Sequence, residues 1–421
     1  MMRDVLNPPS TAIDFTDWYR RNRERSTMLF DMVDAQAYAS RPIPLRHPVL
    51  FYEGHLPAFS FITLARDTMG VKSVDPELER LFQRGIDPAD AKAAAAATRS
   101  SWPDRDEILA FGKACDDVIV DCLRQAESAP AGSRAVQAAY TILEHEQMHH
   151  ETLLYIYHRV PLEHKRKPSN GAAPADGALP RNEVVRIAAG AATLGAKRDA
   201  IPFGWDNEFE ELRVDVPAFS VDTHSVTNAD YLEFVNAGGP PPPFWVQRGD
   251  EWRILGMFEE LPLRRSWPVY TTRDQAIAYA TWKNARLMLE AEYHRAAFGT
   301  PGGDERALPW GDGAPAAKFG AFDFATWDPE PVGSHPAGAS AWGVNDLIGN
   351  GWEWTATPFG PLPGFEPMVT YPQYSADFFD DLHFVVKGGS PVTARELIRR
   401  SLRNWYRSAY PYIYAKFRCV R

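Results

Sequence analysis

The stretch from Leu143 to Leu154 sets His145, His149 and His150 among Glu144, Glu146 and Glu151. Imidazoles and carboxylates are ligands for divalent metals, and no other stretch of the chain concentrates them so densely. It lies in a run from Ala135 to Val160 without glycine or proline, which predicts a helix. Residues four apart share a helix face, so His145 and His149 can offer nitrogens to one ion. Glu144, Glu146 and Glu151 point elsewhere and can hold the outer partners of the ligands. The bland alternative is a solvated face that happens to carry histidines, and the apolar flanks Ile142, Leu143 and Leu153 argue against it. His145-Glu146-Gln147-Met148-His149 also has the His-Glu-x-x-His spacing of zinc hydrolases, a reading that needs a third ligand downstream. His55, inside the aromatic segment His47 to Phe59, is a further ligand candidate; taken alone, a histidine there is as readily a core residue.

These residues must be held by helices. Ser10 to about Tyr38 reads as the first, capped by Ser10 or Thr11, with Phe15, Trp18, Tyr19, Met28, Leu29 and Met32 at roughly helical spacing. A turn at Arg41 to Pro44 leads through His55 into a second, about Asp104 to Ser128 forms a third, and the fourth carries the histidine motif. Four such helices predict a bundle, an architecture that builds metal sites from facing side chains. Residues 164–183 read as a linker rich in Pro, Gly, Ala and charge. Beyond it short apolar segments alternate with turn residues. Val184–Ile187 and Arg213–Val216 are expected strands, and Arg273–Arg286 and Leu289–Phe298 expected helices, which makes the second part irregular α+β.

The composition narrows the class. A length of 421 residues predicts two or three domains. An apolar content of 45% with 24% charged residues is that of a globular protein. A formal net charge of -10 argues against a nucleic-acid groove. No apolar run has the length of a membrane span, and the N-terminus lacks a signal-peptide core. Cys115, Cys122 and Cys419 cannot make a disulfide framework, so a cytoplasmic protein, with neither nucleic acid nor membrane as partner, is the expectation.

Residues 184–421 resemble the formylglycine-generating-enzyme fold, which is related to C-type lectins. The resemblance is carried by Phe203-Gly204-Trp205-Asp206-Asn207-Glu208, Ser225 to Tyr231, Arg286 to Tyr293, Gly349-Asn350-Gly351-Trp352-Glu353-Trp354 and Lys387-Gly388-Gly389-Ser390. The cysteine pair that binds copper in formylglycine-generating enzymes is missing, since only Cys419 lies in this half. Residues 1–163 resemble a DinB-like four-helix bundle. The fusion is similar to the nonheme iron sulfoxide synthases of ergothioneine and ovothiol biosynthesis. That resemblance implies iron(II) held by His55, His145 and His149, with Glu151 completing a His-x-x-x-His-x-Glu motif, and O2 as co-substrate. It implies bond formation between a thiol sulfur and a ring carbon of a histidine derivative, with oxidation of the sulfur. It also implies that metal from the first part and substrate contacts from the second serve one site. Tyr371 or Tyr374 would supply a proton, and Asn404 and Trp405 would hold a betaine acceptor, hercynine, whose trimethylammonium group suits an indole face.

Three departures bear on the substrates. Met148 stands where ergothioneine-pathway members often carry glutamine. Trp102, in Arg99-Ser100-Ser101-Trp102, replaces one arginine of the Arg-x-x-Arg pair found in enzymes that use γ-glutamylcysteine. Tyr406 and then Arg407 follow Asn404-Trp405, where those enzymes have an acid. Arginine binds carboxylates bidentately and tryptophan cannot, so free cysteine or another small thiol is the expected donor. Arg99, Arg105 or Arg407 on a shifted loop is the alternative reader of a γ-glutamyl group. Histidine as acceptor, a selenium donor, a zinc hydrolase and a noncatalytic binding module are the competing readings.

Overall fold

The computed structural model describes residues 13–83 and 102–421. Ser10, Thr11 and Arg99 lie outside them. The chain divides into two compact units, Met1–Pro168 and Ser169–Arg421.

In the first unit, α1 (Phe15–Phe30) starts at Asp14, whose carboxylate accepts from the Asp17 amide at 2.7 Å. The helix does not continue to Tyr38 as expected. It stops before Asp31, and a separate short turn, α2 (Ala35–Tyr38), begins after Asp34. Asp34 caps α2 through the Ala37 amide, donates its own amide to the His164 carbonyl (3.0 Å) and accepts from His164 Nδ1 (2.8 Å). A cap plus a tertiary anchor outweighs helix continuation, which would gain about one hydrogen bond per residue.

The second helix, α3 (Val49–Ser60), is buried along its whole length and runs into a π-helical turn at Phe61–Arg66. Pro57 inside it has no amide to give the carbonyl four residues back. A short α4 (Pro76–Phe82) follows, with proline at its first position, where the missing amide costs nothing. The long α5 (Arg105–Glu127) and α6 (Arg134–Tyr157) are capped by the side chains of Asp104 and Ser133. The helices α1 and α3 each pack on both α5 and α6, which gives a bundle. Asn22 Nδ2 donates to the Leu143 carbonyl at 2.9 Å and fixes α1 beside the histidine-bearing stretch of α6.

The second unit holds small antiparallel ladders and one larger sheet. Strand β1 (Val184–Ile187) pairs with β4 (Phe219–Asp222), β2 (Gly190–Leu194) with β3 (Leu212–Val216), and β5 (Trp245–Arg248), β6 (Glu251–Leu255) and β7 (Glu260–Pro262) form a meander. The larger sheet has the order β10-β9-β8-β11, from β8 (Trp352–Pro358), β9 (His383–Lys387), β10 (Asn404–Arg407) and β11 (Ala415–Lys416). Three helices accompany them: α7 (Asn228–Asn236), α8 (Arg273–Trp282) and α9 (Glu290–Ala297). The expected run of α8 to Arg286 ends early because Asn284 takes a left-handed φ of 51°. The proline-rich stretch is anchored as well: the Asp176 carboxylate accepts from the amides of Arg265 (3.0 Å) and Ser266 (2.9 Å) and from Ser266 Oγ.

The core of this unit contains paired charges. Glu353 on β8 is fully buried and accepts from Lys416 Nζ (3.0 Å) and Arg418 Nε (2.9 Å). The bend before β8 needs Gly351, whose φ is 126° and where a Cβ would lie 2.7 Å from the Tyr270 ring. Removing one member of a buried charge cluster leaves the others uncompensated, at a cost of about 3–5 kcal/mol. Glu353→Ala is therefore expected to destabilise the second unit by roughly that amount, read as a lower urea midpoint. A midpoint within error of the parent would show that Lys416 and Arg418 find other partners.

Candidate metal centre and acceptor segment

The i, i+4 spacing on α6 brings the rings of His145 and His149 to 4.4 Å between centroids. From α3, His55 approaches to 5.2 Å of His145 and 5.0 Å of His149. One nitrogen from each of the three lies within 4.8 Å of the others. The tautomer of His55 is set locally: its Nδ1–H donates to the Phe82 carbonyl at 2.6 Å, which leaves the Nε2 lone pair for a ligand. Phe82 comes this close because residue 54 is glycine; a Cβ there would meet the Phe82 ring at 2.6 Å.

Aromatic rings wall the site. Phe59 stacks on His145 at 3.5 Å, Phe51 stacks on His55 at 5.2 Å, and Tyr52 lies 5.7 Å from His149. Burial holds His55 down to about 4, against the pull of the Phe82 carbonyl. Burial first, and neighbouring histidines second, keep His145 and His149 well below the ordinary histidine value. All three are thus neutral, the form that binds a metal. His55 Nε2 and His149 Nδ1 are buried and have no hydrogen-bond partner in the structure. Leaving such an atom unmade costs about 1–3 kcal/mol, and a cation bound there removes the cost. The donor set therefore fits a metal. Three nitrogen ligands suit iron, zinc, copper or nickel and leave positions for exogenous ligands.

Glu146, the base a zinc hydrolase would use, is committed elsewhere. Its carboxylate accepts from Arg23 Nη1 (2.9 Å) and Ser26 Oγ (2.6 Å) on α1, and His150 Nε2 joins the same hydroxyl at 2.8 Å. Met148 is half-buried next to His149 on α6. Trp102 lies 6.2 Å from Phe51 and 6.5 Å from Phe82, in the aromatic layer that backs His55. Arg105 is engaged with Glu53 (2.8 Å) and Asp31 (2.9 Å).

In the second unit, Asn404 and Trp405 open β10. Asn404 Oδ1 accepts from the Trp405 amide at 2.8 Å. The Trp405 indole stacks on Phe359 at 4.1 Å and 7°, meets Tyr374 edge-on at 5.2 Å and has Phe378 at 5.5 Å. Tyr374 is buried and Tyr371, 5.7 Å from it, is half-buried. Tyr406 stacks on Tyr410 at 5.5 Å, and Arg407 is exposed.

Sequence reasoning passed over Phe359 and Phe378, which carry no motif. It also gave no role to Arg403, which precedes Asn404. The buried Arg403 guanidinium donates to Glu290 Oε1 at 2.9 Å and to the carbonyls of Asn207 (3.0 Å) and Gly360 (3.1 Å). The adjacent Lys387 donates to the carbonyls of Leu402 (2.5 Å) and Arg400 (3.2 Å), and burial pulls its ammonium down to about 8.

Residues 170–421 match the family model of the sulfatase-modifying factor enzyme 1-like domain, so the second unit is a domain of that class. A formylglycine-generating enzyme of Mycobacterium tuberculosis is 30% identical over 52% of this chain and 89% of its own length. Burial pushes the thiol of Cys419, the one cysteine in this half, up to about 12, far from a metal-binding thiolate. Over the longer span, the hercynine oxygenase of Mycolicibacterium smegmatis is 30% identical, covering 91% of this chain and 92% of that protein. Ergothioneine biosynthesis protein 1 of Schizosaccharomyces pombe is 29% identical, covering 90% of this chain and 52% of that protein. The chain belongs to the hercynine oxygenase family, enzymes of the sulfoxide-synthase type.

His149→Ala and His55→Ala should each abolish stoichiometric binding of a divalent metal, measured by elemental analysis and by the visible spectrum of the cobalt(II)-loaded protein. Glu146→Gln should keep one ion per chain. Full occupancy in His149→Ala would remove that residue from the ligand set.

Proposed function

We propose that the chain is an iron(II)- and O2-dependent sulfoxide synthase that joins a small thiol, cysteine by preference, to the imidazole ring of hercynine. The observation that carries this reading is the set of three neutral histidines, His55 and His145 buried and His149 partly so, whose nitrogens converge in a chain of the hercynine oxygenase family. Iron(II) held by His55, His145 and His149 would supply the one-electron chemistry that lets O2 react. The reaction balances without an outside reductant. The thiol S–H and the ring C–H are broken and one C–S and one S–O bond are formed. The two hydrogens leave with the second oxygen as water.

The chain's own residues have three tasks: to hold the thiol beside the ring carbon, to hold the acceptor, and to move protons. Asn404 and Trp405 are proposed to take the acceptor, with the indole of Trp405 against its trimethylammonium group. Tyr371 and Tyr374 are the proposed proton donors, and Met148 is a proposed substrate contact on α6. Cysteine is preferred as donor because Trp102 and Tyr406 stand where the γ-glutamyl reading needs an arginine and an acid, and Arg105, one of the alternative readers, is paired with Glu53. The DinB-like character of the bundle belongs to the same proposal. So does a cytoplasmic location, which the three unpaired, buried cysteines favour.

Iron(II)-loaded enzyme given hercynine and equal amounts of cysteine and γ-glutamylcysteine should consume O2 and yield mainly the cysteine-derived sulfoxide, read by mass spectrometry. Trp405→Ala should raise the KM for hercynine by about three- to thirtyfold, the range for a lost cation–π contact. A clear preference for γ-glutamylcysteine would show that Trp102 and Tyr406 do not read the thiol. Zinc-dependent hydrolysis without O2 uptake would overturn the assignment.

A further inference from the structure

The segment Trp205-Asp206-Asn207-Glu208 has no part in the proposed chemistry, yet each of its residues grips a chain segment that carries a proposed acceptor or proton-donor residue. The Trp205 ring stacks on Tyr374 at 4.1 Å and 26°. The Asp206 carboxylate, 2% exposed, accepts from Ser375 Oγ and from the Met368 amide (3.3 Å), on either side of Tyr371 and Tyr374. Asn207 Nδ2 donates to the same Ser375 hydroxyl at 3.0 Å, while its carbonyl accepts from Arg403 at 3.0 Å, directly before Asn404 and Trp405. Glu208 accepts from Arg399 Nε (2.7 Å) and Ser401 Oγ (2.6 Å), further back on that strand's approach.

The tyrosine-bearing stretch has little regular structure. Between Pro361 and Leu382 it forms no strand and only one short turn of 3-10 helix, and Val369 and Leu382 are 79% and 57% exposed. We infer that Trp205–Glu208 is a clamp, with Asp206 and Asn207 as positioning residues that set the tyrosine-bearing stretch against Trp405. This rests on the proposed roles of Tyr371, Tyr374 and Trp405. A misplacement of about 1 Å in such a constellation can cost a hundredfold in rate, which is the effect a clamp prevents.

The test uses Asp206→Asn and Ser375→Ala in the metal-loaded full chain, with two readouts. The first needs no substrate: chymotrypsin cleavage within residues 361–382, which hold Tyr374, Phe378 and Phe379 but no lysine or arginine. The second is the kcat and KM for hercynine. We expect cleavage there to speed up about tenfold and kcat to fall about tenfold or more, with unchanged metal content and unfolding midpoint. Parental cleavage and kinetics in Asp206→Asn would overturn the clamp. If that variant does not fold, Ser375→Ala decides, since it deletes a single hydroxyl; parental behaviour there overturns the clamp, and faster cleavage with lower kcat supports it. Failure of the parent itself to turn over hercynine would fault the proposed function, while faster cleavage in the variants would still support the clamp.

Discussion

Desolvation is the constraint on which the first unit depends. An imidazole in water is protonated for part of the pH range in which enzymes work, and a protonated imidazole cannot bind a metal. Here three of them are placed where charge is costly. Every residue of α3 is buried around His55, and Phe51, Tyr52 and Phe59 wall the nitrogens. Burial alone would leave the tautomer open. The Phe82 carbonyl decides it by accepting a hydrogen bond from Nδ1–H of His55, and Gly54 gives Phe82 the space to do so. The proline in α3, the π-helical turn after it and the anchor of α1 through Asn22 all belong to the scaffold that keeps these rings dry and close together.

How much of this is legible in the sequence differs from residue to residue. His145 and His149 declare themselves, because four residues on a helix is a spatial statement as well as a sequence one. His55 does not. It lies 90 positions from His145, so spacing made it no more than a candidate that could equally be a core residue, and the family resemblance tied it to the pair. The break between α1 and α2 was illegible for the same reason: its cause, His164, lies far along the chain from Asp34. Trp102 was legible as a lost arginine, but the two phenylalanines it packs with were not.

The second unit teaches a related lesson. Its recognisable motifs are rich in charged residues that look chemical in one dimension. In three dimensions Glu290 serves Arg403, Glu292 serves Arg286 at 2.6 Å, and Glu353 serves Lys416 and Arg418. A fold with short strands and long loops has few ladder hydrogen bonds to fix its connections. Buried ion pairs with additional carbonyl contacts supply the fixed points, and breaking any one is costly. The residues around Trp405 are, by contrast, aromatic and without motif, since ring packing is made by shape and needs no particular spacing.

The placement of β11 has a consequence for biosynthesis. Strand β8 takes its parallel partner from Ala415–Lys416, and Val420 bridges back to both Val221 and Arg286. The sheet therefore keeps an open edge, and Glu353 lacks both of its cations, until the ribosome has delivered residues 415–420. At about 5–20 residues per second, the wait between β8 and β11 is roughly 3–13 seconds. The helical unit is synthesised first and has its full set of histidines long before then. During that interval β8 presents an unpaired edge, and such an edge is a pairing site for other chains until β11 fills it.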